Sequence, residues 1–205
     1  MKKCIVIYNP NSGHTLKKKM IPRYKSIIMK FDYQVEFVPT QYHGHAKELV
    51  HHMEDVDLVM SMGGDGNFNE MVYGNILRKK PLLLAHVPIG TTNDIGKMLG
   101  YSDNTEKNIE ACLKGEVKTI DIPTINKRPF VYVGGFGKFL NIAYDTTRES
   151  KKKYSYLAYV YNGIKDFFTE TKIHDITYTV DGEQKHVEAS MMMICNSTRI
   201  AGMDS

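Results

Sequence analysis

The chain has 205 residues, 42% hydrophobic and 24% charged, with a formal net charge of +4 at pH 7. That is the composition of a globular protein able to build one good core or two small ones, and the basic excess is weaker than nucleic-acid binders show, so no nucleic acid is expected as a partner. Three widely spaced cysteines, Cys4, Cys112 and Cys195, have no metal-ligand spacing and are too few for a disulfide scaffold, which indicates a reducing cytosol.

The opening "MKKCIVIYNP" holds too short an apolar run for a signal peptide. "KKCIVIYNP" predicts a buried strand over Cys4–Tyr8, stopped by Asn9-Pro10. A helix is expected over Leu16–Lys30, with a break at Pro22. "YQVEFVPT" alternates like a strand, and "HGHAKELVHHM" places Ala46, Leu49, Val50 and Met53 at helical spacing. "VDLVMSM" is a second buried strand, "NFNEMVYGNILR" a helix and "PLLLAHVP" a third buried strand. "NDIGKMLG" and "NTEKNIEACLKG" are helical, the second ended by Gly115. No run approaches the ~20 apolar residues of a membrane span, so any membrane contact is made from the surface.

Alternating strands and helices, with solidly apolar strands, predict a parallel sheet covered on both faces. After Lys118 the texture changes to "TIDIPTI", "RPFVYVGGFG", "HDITYTV" and "VEASMMMICNS", all strand-like. Asp181-Gly182 is a hairpin signal between the last two. One helix, "YSYLAYVYNGIKDFF", interrupts them. A boundary is expected near residue 121, giving an α/β domain over 1–121 and a β-rich domain over 122–205.

Three predicted strands run straight into glycine-bearing polar loops, "YNPNSG", "MGGDGN" and "PIGTTND", each followed by a helix. In a parallel sheet these loops emerge at one carboxyl edge, where open α/β sheets place ligands. Glycine allows close backbone approach, and the helix behind each loop offers free N–H groups to phosphate. A single such loop reads equally well as a tight turn; three at one edge favour a ligand site. Asp65 would repel phosphate unless a cation mediates, and Mg²⁺, directly or through water, resolves this. The loops fit neither a P-loop nor a Rossmann fingerprint.

"NPNSG", "GGDGNFNE" and "PIGTTND", in that order, resemble the diacylglycerol kinase catalytic domain in its bacterial lipid-kinase branch, related to sphingosine, ceramide and NAD kinases. "KKKYSYLAYVYNGIKDFF" and "ICNSTRIAGMDS" look like later segments of the same family, so the likeness covers the chain. The resemblance implies a parallel-sheet nucleotide domain followed by a β-sandwich domain, incomplete in this chain, with ATP and Mg²⁺ in the cleft. It implies transfer of the γ-phosphate to a lipid hydroxyl, most simply diacylglycerol. Asn9, Ser12, Gly63, Gly64, Gly66, Asn67, Glu70, Gly90, Thr91 and Asn93 would line the nucleotide site. Asp65 and Asp94 match the acidic positions tied to Mg²⁺ and are the catalytic candidates. The general base is expected beyond Ser205. Asn67 replaces the family's usual threonine, and Lys97 replaces a frequent arginine, losing bidentate phosphate geometry.

The expected partners are a lipid substrate, an anionic membrane met peripherally from the cytoplasm and, left open, a second copy forming a homodimer. Lys151–Lys153, followed by Tyr154, Tyr156, Tyr159, Tyr161, Phe167 and Phe168, suits an interfacial helix or a helix packed on the sandwich. Lys17–Lys19 read as a solvated face or as anion steering. His14, His43, His45, His51 and His52 lack a carboxylate at convincing spacing and read as surface residues, and Met191–Met193 as a core strand. Two alternatives stay open: an NAD kinase, which shares the GGDG loop, and a non-catalytic nucleotide- or lipid-binding module.

Overall fold

The computed structural model describes residues 1–10, 18–90, 93–137, 172–196, 199–200 and 203–204. It divides into two compact units, one of residues 1–132 with 196–205 and one of residues 133–195.

The first unit is built on four parallel strands: β1 (Lys2–Tyr8), β2 (Tyr33–Pro39), β3 (Leu58–Gly63) and β4 (Leu84–Pro88), in the order β2-β1-β3-β4. β1 and β3 are central, which is why "CIVIY" and "LVMSMG" are buried without alternation. β4 is an edge strand here: only His86 and Val87 are fully buried, and Leu84 and Ala85 are half-buried. The apolar run "LLLAHV" suggested a buried strand because edge position is a tertiary property that a run of Leu does not encode.

Helices cover both faces. α1 (Ile21–Met29) puts Tyr24, Ile27 and Ile28 against Cys4, Val6, Tyr8 and Met60. α5 (Thr105–Lys114) adds Ile109 to the same face. α2 (His45–His52) and α3 (Asp65–Ile76) bring Ala46, Val50 and Met71 against Ile5, Ile7 and Val59 on the other. The strand pleat sends alternate β1 residues to the two layers. Pro22 begins α1 rather than breaking a longer helix, since its missing N–H and fixed φ suit the first turn. A 3-10 turn over Lys18–Met20 precedes it. Gly115 ends α5 with φ −71° and ψ 163°, an extended exit instead of the left-handed cap glycine usually supplies.

Asn104 caps α5: its Oδ1 accepts Glu106 N at 3.0 Å and Lys107 N at 3.1 Å. Asn104→Ala is expected to lose about 1 kcal/mol and roughly 2–4 °C in Tm, read by thermal melting. An unchanged Tm would mean that water replaces the cap.

A short helix α4 (Asp94–Met98) follows β4. Beyond α5 come the two-residue strands β5 (Thr124–Ile125) and β6 (Arg128–Pro129), where "TIDIPTI" had suggested a longer strand. Asn196 fastens the returning chain to this unit: Nδ2 donates to Asp121 O and Val131 O, both at 3.0 Å. β11 (Arg199–Ile200) and β12 (Met203–Asp204) pair with each other.

In the second unit, β7 (Val133–Gly137) pairs antiparallel with β10 (Met191–Cys195), and β8 (His174–Val180) with β9 (Glu183–Ala189). Asp181 and Gly182 have φ of 51° and 81°, the two positive values of a type I′ hairpin turn. These short antiparallel strands are consistent with part of a second, β-rich domain. Met191 and Met193 are exposed, not core, because β10 lies in a two-stranded ladder that buries little. The expected helix "YSYLAYVYNGIKDFF" and Lys151–Lys153 lie outside the described residues.

Candidate phosphate-loop site

The direction of chain winding locates the site. From β1 the chain passes to β2 on one side; from β3 it passes to β4 on the other. The order therefore reverses between β1 and β3, and a doubly wound sheet opens its ligand crevice at such a switch point. The loops after β1, β3 and β4 all leave this carboxyl edge.

The second and third loops touch. A Cβ on Gly90 would stand 2.6 Å from Gly64 Cα and 2.8 Å from Asn93 Oδ1, so only glycine fits there. Ile89 N donates to Gly63 O at 2.9 Å, extending the β3–β4 pairing to the loop mouth. Gly66, in the first turn of α3, is different. A Cβ there would meet no atom within 4 Å, and its φ is not left-handed, so the fold itself does not require glycine. That open space suits close approach by a ligand.

Asp65 joins the two loops. Its Oδ2 accepts Asp94 N at 3.0 Å and its Oδ1 accepts Ile95 N at 3.3 Å, so the carboxylate caps α4. A carboxylate in this loop thus has a structural task besides any task with a cation. Asp94 is buried at 1% exposure, while the Asp65 side chain keeps 11%.

Asn93 sits in the left-handed region, φ 54° and ψ 43°, and its Nδ2 donates to Gly90 O at 3.0 Å. Its Oδ1 is buried with no hydrogen-bond partner among the described residues. Asn67 Nδ2 donates to Ser61 Oγ at 3.0 Å, so the residue in the family's threonine position ties α3 to β3. Glu70 Oε1 lies 2.9 Å from His43 Nδ1. The loop after β2 therefore reaches α3 at the same edge, and His43 has the carboxylate partner that local spacing concealed. Asn9 follows β1 and is half-buried; Ser12 and Thr91 lie outside the described residues. Lys97 and Lys19 are exposed, and Lys17 lies outside the described residues.

One buried residue at this edge escaped the sequence reading. His86 of β4 is 1% exposed, stacks on Phe68 with centroids 4.7 Å apart, and holds Nε2 3.8 Å from Asp65 Oδ1. A lone histidine in the apolar run "LLLAHVP" was its only signal. Cys4 and Cys112 are unsuited to nucleophilic work, because burial pushes both thiols up, Cys4 to about 12. Among the described residues, no three His, Cys, Asp or Glu side chains cluster as a ready metal cage, and no helix is long and apolar enough to cross a membrane.

A doubly wound parallel sheet with glycine loops meeting at its switch point is the class these features define. The diacylglycerol kinase catalytic domain profile matches residues 3–125, more than half of the chain, and the chain belongs to that lipid-kinase family. A diacylglycerol kinase of Staphylococcus carnosus is 27% identical over 207 residues, covering 99% of this chain and 67% of the relative. One from Bacillus subtilis is 26% identical over 210 residues, covering 100% of this chain and 68% of the relative. The crystal structure of a diacylglycerol kinase from Bacillus anthracis superposes with a TM-score of 0.76 at 24% identity, over 100% of this chain and 67% of that one. The fold is thus that of the family, and the chain spans about two thirds of the length of these relatives.

Proposed function

We infer that the protein is an ATP-dependent lipid kinase moving the γ-phosphate to a lipid hydroxyl, with diacylglycerol the first candidate acceptor. The observation carrying this reading is the contact of the Gly63–Gly66 and Gly90–Asp94 loops at the switch point, bridged by Asp65. Phosphoryl transfer asks chiefly for positioning and charge stabilisation, and loops meeting there can supply both. Asn9, Ser12, Gly63, Gly64, Gly66, Gly90, Thr91 and Asn93 are the proposed phosphate contacts, with residues 1–121 as the nucleotide domain. Asn67 and Glu70 belong to the support of that site, given the partners each holds.

Mg²⁺ fits the donors present. Asp65 and Asp94 offer hard carboxylate oxygens, and Mg²⁺ usually takes one or two of these with water and substrate phosphate completing the shell. Each Asp65 oxygen accepts one backbone N–H and retains a further lone pair. The ion would offset phosphate charge, while Asp65 also keeps the two loops in register.

The test offers full-length protein radiolabelled ATP with diacylglycerol, a sphingoid base, undecaprenol and NAD in parallel. Label in phosphatidic acid supports the reading, label in NADP supports the NAD kinase alternative, and label in none supports a binding module. Peripheral membrane contact is proposed from Lys151–Lys153 and the aromatic residues after them. Exchanging the three lysines for Ala is expected to weaken sedimentation with anionic vesicles roughly a hundredfold or more, at ~1 kcal/mol per lysine. Binding insensitive to the exchange would return the run to a solvated surface.

A further inference from the structure

His86 is the group at this edge that phosphate binding alone does not use. It lies under the second loop, in register with Ser61 of β3, its ring flat against Phe68 at an interplanar angle of 25°. Both ring nitrogens are buried, and neither has a hydrogen-bond partner among the described residues. A packing role would be filled better by Leu or Ile, which bring no polar atoms into the core; burying imidazole nitrogens unpaired is costly. The Asp65 carboxylate stands beside the ring, with Oδ1 3.8 Å from Nε2. That gap exceeds a hydrogen bond by less than ~1 Å. The Asp65 loop is held from the other side by Asp94 N and Ile95 N, so a small movement of α4 or of the loop closes it.

We propose that His86 is a positioning residue for Asp65: buried against Phe68, its Nε2–H donates to Oδ1 when the loops close on nucleotide, fixing the carboxylate's orientation. With the two backbone donors, this gives Asp65 three donors, two on Oδ1 and one on Oδ2, and leaves the free lone pair of Oδ2 for a cation. Nδ1 is then the bare acceptor of the neutral ring. The strand side supports the placement, since Cys112 Sγ donates to His86 O at 3.5 Å and keeps β4 in place. The inference rests on the nucleotide reading of the site.

The experiment uses the full-length protein with ADP and excess Mg²⁺ as probe. Long-range ¹H–¹⁵N correlation reads the His86 tautomer before and after ADP. The expected result is an Nε2–H, Nδ1-bare ring whose Nε2 proton moves downfield on ADP addition. His86→Leu is expected to weaken ADP binding about tenfold, while His86→Gln, which returns an N–H donor near the Nε2 position, stays within about twofold of wild type. Thermal melting of both variants separates this from damage to the core. An Nδ1–H ring would overturn the proposal, as would equal ADP affinity in the Leu variant, or losses in both variants that track Tm. If the wild type fails to bind ADP, the nucleotide reading falls. The tautomer in the free protein then decides the Asp65 contact alone, with Nε2–H upholding it and Nδ1–H ending it.

Discussion

Asp65→Asn is expected to lower phosphoryl transfer by about 10²-fold or more and to cost stability as well. The catalytic part follows from charge: the amide keeps the shape but removes the anion that would face Mg²⁺, and 10²-fold is only ~2.7 kcal/mol of transition-state stabilisation. The structural part follows from the cap on α4. The carboxylate accepts two backbone N–H groups, from Asp94 and Ile95. An amide has one acceptor oxygen, so one of those N–H groups must face an NH₂. Losing that bond in a part-buried setting costs ~1–2 kcal/mol, a fall of several degrees in Tm. Turnover is measured with radiolabelled ATP and diacylglycerol on full-length protein, and stability by circular dichroism melting. A variant that melts early yet keeps more than about half the wild-type kcat would leave Asp65 with the cap alone and remove it from the catalytic set.

The cap that Asp65 places on α4 shows where the sequence was readable and where it stopped. The central strands were legible because "CIVIY" and "LVMSMG" run without alternation and are apolar but for Ser61 and Gly63, which a strand covered on both faces needs. The convergence of the loops followed from parallel pairing, a consequence of strand–helix alternation. What lay hidden depends on contacts between loops distant in sequence. The approach of Gly90 to Gly64 brings the α4 N–H groups onto Asp65, so its carboxylate looked unexplained without a metal. His86 was passed over because Phe68 and Asp65, which give it meaning, come from the preceding strand–helix junction. Glu70 of α3 and His43 of the loop after β2 meet for the same reason. Pro22 was ambiguous locally, since proline both starts and breaks helices. The short strands around Thr124 and Arg128 are fixed by their partners rather than by an apolar period.

Two glycine substitutions separate the loop contact from general packing. Gly90→Ala would place a methyl 2.6 Å from Gly64 Cα, a backbone atom that cannot rotate aside. Gly74→Ala would press a methyl on the carbonyl oxygen of Lys47, where α2 and α3 cross closely. Both are small-to-large changes against backbone, and each is expected to destabilise by ~1–3 kcal/mol. Their consequences for ligand should diverge. At Gly90 the strain is relieved by separating the second and third loops, which shifts Asn93 and loosens the Asp65 bridge. ADP affinity, measured by calorimetry, should fall tenfold or more. At Gly74 the strain is relieved by sliding α2 on α3, on the face packed around Ala46, Val50 and Met71, and ADP affinity should stay within about twofold. Equal losses in the two variants would mean that affinity follows global stability. Intact binding in Gly90→Ala would mean that phosphate does not need these two loops in contact, and the site would have to be sought at the β1 loop alone.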